Sequence, residues 1–155
     1  MQIEASQAFT LPFPGSHEEA LAFMQDPARS LSGVTFLRDL QADAEGIRAV
    51  LLVNVPLLGE IDLPLSSRLV KTPRGARLEA QSLDGERAWI ELNGEGMAAE
   101  SELHYAFRFI AHIELPSAEK WGGAAFEKMV RAAAERTLTR LARELPEGIT
   151  RSMAG

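Results

Sequence analysis

The chain has 155 residues, enough for one domain that buries about 70% of its unfolded surface in a single core, and its 46% apolar and 25% charged residues exclude disordered and fibrous classes. A net charge of −6 with no Lys/Arg cluster offers little to a phosphate backbone, which argues against nucleic-acid binding, and the absence of cysteine excludes disulfides, thiolate nucleophiles and zinc-thiolate sites. The first residues show neither a basic leader nor a continuous apolar run, and no stretch approaches the ~20 apolar residues of a membrane span, so a cytoplasmic location is expected.

Residues 2–12 alternate, with Ile3, Ala5, Phe9 and Leu11 on one face and Gln2, Glu4, Ser6 and Thr10 on the other, which predicts a half-buried strand ended by Pro12, Pro14 and Gly15. Ser16 and Glu19 then have the spacing of a capping box, starting a helix whose apolar side is Leu21, Phe23 and Met24. Asp26-Pro27 is a second start signal, an N-cap residue followed by the helical position where a missing N–H costs nothing. The second helix is therefore short, with Leu31 as its main apolar contact and Gly33 as its expected left-handed terminator.

Residues 34–115 read as six successive strands. In 34–42, Val34, Phe36 and Leu40 share a face with Arg38 while Leu37 points away, so a bulge is expected. Residues 47–55 place Ile47, Ala49, Leu51, Val53 and Val55 on one side, and after Pro56 to Gly59 the next strand answers with Ile61, Leu63, Leu65, Ser67 and Leu69. A turn at 72–75 leads into 76–83, with Ala76, Leu78, Ala80 and Ser82 inward, and a second at 84–86 into 87–93, with Ala88, Ile90 and Leu92 inward. Gly94 and Gly96 read as a turn. Residues 100–114 then set Leu103, Tyr105, Phe107, Phe109, Ala111 and Ile113 against Glu102, His104, Arg108, His112 and Glu114.

Connections this short join antiparallel neighbours only, so the six strands form a meander that the first strand completes as a seventh. The last element is capped at Pro116-Ser117 and predicted to run to about Leu145, before Pro146 and Gly148. At 1.5 Å per residue it would span ~40 Å, with Phe126, Val130, Ala133, Thr137 and Leu141 in one stripe and Met129 and Leu138 beside it. Gly122 and Gly123 weaken its start by ~1 kcal/mol each, marking either a kink or close packing.

A sheet with one apolar face and one long amphipathic helix must bury them against each other. The order of elements, carried by "FTLPFPGSHEEALAFMQDPARSLSGV", "VNVPLLGEIDLPLSSRLV" and "ESELHYAFRFIAHI", resembles the START-like or Bet v 1-like helix-grip superfamily. Within it the chain looks most like the polyketide cyclase/dehydrase-like branch and the branch associated with carbon monoxide dehydrogenase. The expected fold is thus α+β, a single START-like domain over 1–155. A seven-stranded curved antiparallel sheet would wrap around the long C-terminal helix, with two short helices between strands 1 and 2. The resemblance implies a hydrophobic cavity between sheet and helix, used across the superfamily for lipids, polyketides and other apolar molecules, by cyclases and by proteins that only carry or sense.

Such a cavity would be lined by Leu51, Val53, Leu65, Ser67, Ala80, Ser82, Tyr105 and Phe107 of the strands and Phe126, Val130, Ala133 and Thr137 of the helix. Alternation alone does not separate a hollow core from a filled one. The small residues among these bring little volume, and the inward Ser67 and Ser82 require partners. Tyr105 is either a core aromatic bonded to backbone or water, or a phenol that orients a ligand. Arg38 is either a carboxylate anchor aimed inward or a solvated side chain at the bulge. His104 and His112 share a face but stand about 26 Å apart along a strand, too far to share a metal. Trp89 points outward, and with Leu37 and Leu83 it could form an interaction patch.

No catalytic residue, metal or cofactor emerges from these patterns. They favour non-catalytic binding of an apolar small molecule or lipid by a monomer or homodimer. Two alternatives stand beside it: a cyclase- or dehydratase-type enzyme using Tyr105 and Arg38, and an assembly factor using the Trp89 face.

Overall fold

The computed structural model describes residues 1–55, 58–115 and 123–154. The turn expected at Pro56, the cap expected at Pro116-Ser117 and Gly122 lie outside the described residues. Strands β1 (Gln2–Pro12), β2 (Arg38–Ala42), β3 (Gly46–Val55), β4 (Gly59–Thr72), β5 (Gly75–Ala80), β6 (Ala88–Ala99) and β7 (Glu102–Ile113) form one antiparallel sheet, in the order β1-β7-β6-β5-β4-β3-β2. The meander is as the turn spacing dictates, and β1 returns to pair with β7 from Gln2 opposite His112 to Pro12 opposite Glu102.

Between β1 and β2 lie α1 (His17–Met24) and α2 (Pro27–Ser30). The capping box forms: the Glu19 amide donates to Ser16 Oγ at 3.1 Å, and the Ser16 amide donates to Glu19 Oε1 at 3.3 Å. Pro27 opens α2 as expected, although Asp26 caps it without a side-chain bond. Gly33 is not left-handed, for the positive-φ glycines among the described residues are Gly59 and Gly123. It is needed for closeness instead. A Cβ there would lie 2.4 Å from the Gly148 carbonyl oxygen and 2.9 Å from the Ser152 amide nitrogen, so only glycine lets the α2 end touch the last helix.

That helix, α3, runs Ala124–Met153 and begins after Gly123, whose φ of 65° and ψ of −133° suit glycine. It passes Pro146 instead of stopping before it. The lost backbone bond is outweighed by what the extra turns bury: Gly148, Ile149 and Ser152 are all inside. Ser152 Oγ accepts from the Gly33 amide at 2.8 Å and donates to the Gly148 carbonyl at 3.0 Å, while Arg151 donates to the Gly33 carbonyl through both Nε and Nη2.

The buried stripe of α3 also lies slightly round from the expected one: Val130, Ala134, Leu138, Leu141, Leu145 and Ile149 face the sheet, and Met129 is exposed. Because α3 packs on β1 at one edge of the sheet and on β3 near the other, the strands between them must curve around it. Arg131 Nη1 donates to the Gln2 carbonyl at 2.9 Å, covering part of the free edge of β1.

Three strand expectations change. Strand β2 begins only at Arg38; Leu37 is buried, and Arg38 is exposed at a register shift between Arg38 and Gln41. Strand β5 ends at Ala80, so Ser82 lies beyond it, exposed. Strand β6 continues through Gly94 and Gly96 to Ala99, since both glycines sit in ladder register with Phe107 and Tyr105 of β7.

Candidate functional site

The inner face of β4 to β7, beneath α1 and α2, holds a small cleft bordered by Met24, Ser30, Leu31, Leu78, Gly96 and Tyr105, with about 30 Å³ of accessible space. That is room for one or two waters, and an order of magnitude below the ~300 Å³ at which pockets for drug-sized ligands begin. Of the twelve expected lining residues, Tyr105 and Phe107 border this cleft. Leu51, Val53, Leu65, Phe126 and Val130 are buried in the core cluster. Ala133 and Thr137 flank an open groove on the other side of α3, beside Asn54, Arg136 and Arg140. Ala80 is half-buried at the end of β5.

Three aromatic rings cluster here, of which Tyr105 and Phe107 border the cleft. Phe9 of β1 sits 5.5 Å from Tyr105 and 6.1 Å from Phe107, and Tyr105 stacks on Phe107 at 5.5 Å and 19°. Cross-strand pairing makes this arrangement obligatory, because Phe9 stands opposite Tyr105, and alternation keeps Tyr105 and Phe107 on one face. Strand β6 offers bare backbone next to them. A Cβ on Gly94 would meet the Phe107 ring at 2.8 Å, so the glycine is what allows that ring to lie down.

The polar content of the cleft is small and incompletely satisfied. Tyr105 Oη is buried with no hydrogen-bond partner among the described residues, and burial pushes the phenol well above its ordinary ionisation range. It is therefore a donor with no protein acceptor among the described residues. Such a group costs about 1–3 kcal/mol until something accepts from it. The buried Ser67, by contrast, is satisfied by donating to the Leu92 carbonyl at 2.7 Å, and Thr137 by donating to the Ala133 carbonyl. Of the two serines expected to look for partners, neither faces the cleft unpaired.

The remaining candidates separate. Arg38 is exposed, so it anchors nothing inside. His104 is held on the outer face by Thr10 and Glu102, and His112 by Glu91 at 2.6 Å; no group of His, Asp and Glu suited to a metal occurs among the described residues. Trp89 does point outward, yet it is 8% exposed and stacks on His112 with ring centroids 4.0 Å apart. With Leu37 in the core, the three-residue patch does not form.

Sequence reasoning missed Met24, Ser30, Gly94 and Gly96 as parts of the site. The available signal was the Gly-x-Gly spacing, which puts two side-chain-free positions on one strand face beside two aromatics.

Comparison with known structures supports the architecture. A Thermus thermophilus protein, TTHA0849, superposes over 98% of this chain and 99% of its own with a TM-score of 0.55 at 11% identity. The di-domain ARO/CYC protein StfQ of the steffimycin biosynthetic pathway superposes over 97% of this chain with a TM-score of 0.51 at 12% identity, and this chain corresponds to 49% of that one. The shared fold is the helix grip, a curved antiparallel sheet around a long C-terminal helix. No curated protein matches the chain. By sequence, the chain belongs to the family described as protein of unknown function DUF3809, whose model matches residues 8–143.

Proposed function

We propose that the protein binds a hydrophobic small molecule or lipid in the cleft between sheet and helices, without performing chemistry on it. The observation that carries this reading is the Tyr105 hydroxyl, a buried donor with no acceptor among the described residues, in a cleft whose lining is mostly apolar side chains and glycine backbone, with Ser30 beside them. Of the sequence-expected lining, Tyr105 and Phe107 are retained in the proposal. A cyclase or dehydratase would need an acid or base poised near neutral pH. The raised phenol is a poor acid, and the other titratable residues bordering the cleft, Arg77 and Glu95, occupy strand positions that alternate to the opposite face of the sheet and are exposed.

Native mass spectrometry of freshly purified protein is the test. The expected result is an adduct that organic extraction removes and whose mass identifies an apolar molecule. Repeatedly empty protein that also fails to take up an added apolar dye such as Nile red would overturn the reading.

A further inference from the structure

The cleft is too small for a ligand as it stands, and a single side chain, Met24, borders it against the glycine backbone. Met24 lies across bare backbone: a Cβ on Gly96 would come within 2.7 Å of its sulfur and within 3.1 Å of its Cε, and one on Gly75 within 2.9 Å of the sulfur. An unbranched thioether is the apolar side chain that repacks at least cost. The helix beneath it is fixed, because Gln25 Nε2 donates to the carbonyls of Thr72 at 3.1 Å and Gly75 at 3.0 Å. Adaptation therefore falls to the Met24 side chain and leaves α1 in place.

With Met24 swung aside, the space is an apolar slot. Gly75, Gly94 and Gly96 form one wall, Phe107 and Tyr105 the next, and the phenol supplies the donor. Arg77 and Glu95 also border it, but they pair in register at strand positions that alternate to the opposite face of the sheet, and both are exposed. A charged ligand group would thus be buried without a counter-charge, which is far more costly than burying a neutral one that accepts a hydrogen bond.

We propose that this slot takes an uncharged molecule whose apolar body replaces the Met24 side chain over the glycine strip and whose carbonyl or ether oxygen accepts from Tyr105 Oη. This rests on the binding function proposed above and adds the charge class of the ligand and the side chain it displaces.

Acetophenone, ethylbenzene and benzoate share a ring and differ in carrying a neutral acceptor, none, or an anion. Each is titrated by ligand-observed NMR into wild-type protein, Met24→Ala and Tyr105→Phe. Wild type should prefer acetophenone over ethylbenzene by about tenfold, the worth of one net hydrogen bond in such a site, and over benzoate by more. Tyr105→Phe should bind ethylbenzene as before and lose the preference; Met24→Ala should bind both neutral probes several-fold more tightly and keep it. Benzoate binding as tightly as acetophenone, or a preference that survives Tyr105→Phe, overturns the proposal. If none of the probes binds even Met24→Ala while mass spectrometry finds a carried molecule, the slot is wrong and the binding function stands; if there is no carried molecule either, both fall.

Discussion

Tyr105 is the only tyrosine, so its ionisation can be followed directly by ultraviolet absorbance. In the folded chain, burial raises its pKa above the ordinary 10.0, which fixes the sign of its linkage to stability. Below pH 10 both folded and unfolded chains hold the proton and the phenol adds no pH dependence. Above it, the unfolded chain releases the proton while the folded one retains it, so stability falls as pH rises. The urea midpoint is expected to drop above pH 10 in wild type and to drop less in Tyr105→Phe, with phenolate appearing in wild type only as the protein unfolds. A free titration step near pH 10 in folded protein would contradict the burial. That Tyr105 points inward was legible from the alternation of β7; that its hydroxyl lacks an acceptor among the described residues was not, because this depends on what lies across from it, and its partners there are Phe9 and Gly96, whose side chains offer none.

At the scale of elements, the least legible feature is the last two turns of α3. Local rules end a helix before proline, yet Ile149 and Ser152 find partners only if the helix continues, and tertiary burial decides. Gly148 tests this account because two effects oppose each other there. Glycine to alanine in an exposed helix interior stabilises by about 1 kcal/mol. Here the added Cβ would stand 2.9 Å from Val34 Cα, a backbone atom next to the Gly33 that Ser152 and Arg151 hold in place. Overpacking against a contact that cannot yield costs about 1–3 kcal/mol, so Gly148→Ala should destabilise, and urea unfolding that shows a gain would mean the crossing of α3 over Gly33 is loose. The same logic explains Gly94 and Gly96: glycine pairs read as turns by composition, and only the register with β7 reveals that they serve close packing within a strand.

At the scale of the molecule, strand order was legible because short turns permit only neighbours, whereas the filled interior was not, because alternation records which way side chains face and not whether they meet. The topology also separates local from distant closure. Strands β2 to β7 zip by hairpins, but β1 must find β7 across the whole meander, and α3 can dock fully only when β1 and β3 are both present. Loop-closure entropy makes the local hairpins the cheaper first step and leaves β1 and α3 to arrive together after the main barrier. Ile3 of β1 and Leu92 of β6 are each 1% exposed, so truncating either to alanine should cost about 2–5 kcal/mol at equilibrium. The kinetics should differ. In stopped-flow chevrons, Leu92→Ala is expected to slow refolding, whereas Ile3→Ala is expected to speed unfolding and leave refolding nearly unchanged. Refolding slowed by Ile3→Ala to the full extent of its equilibrium loss would place the β1–β7 pairing inside the nucleus and reverse this order of assembly.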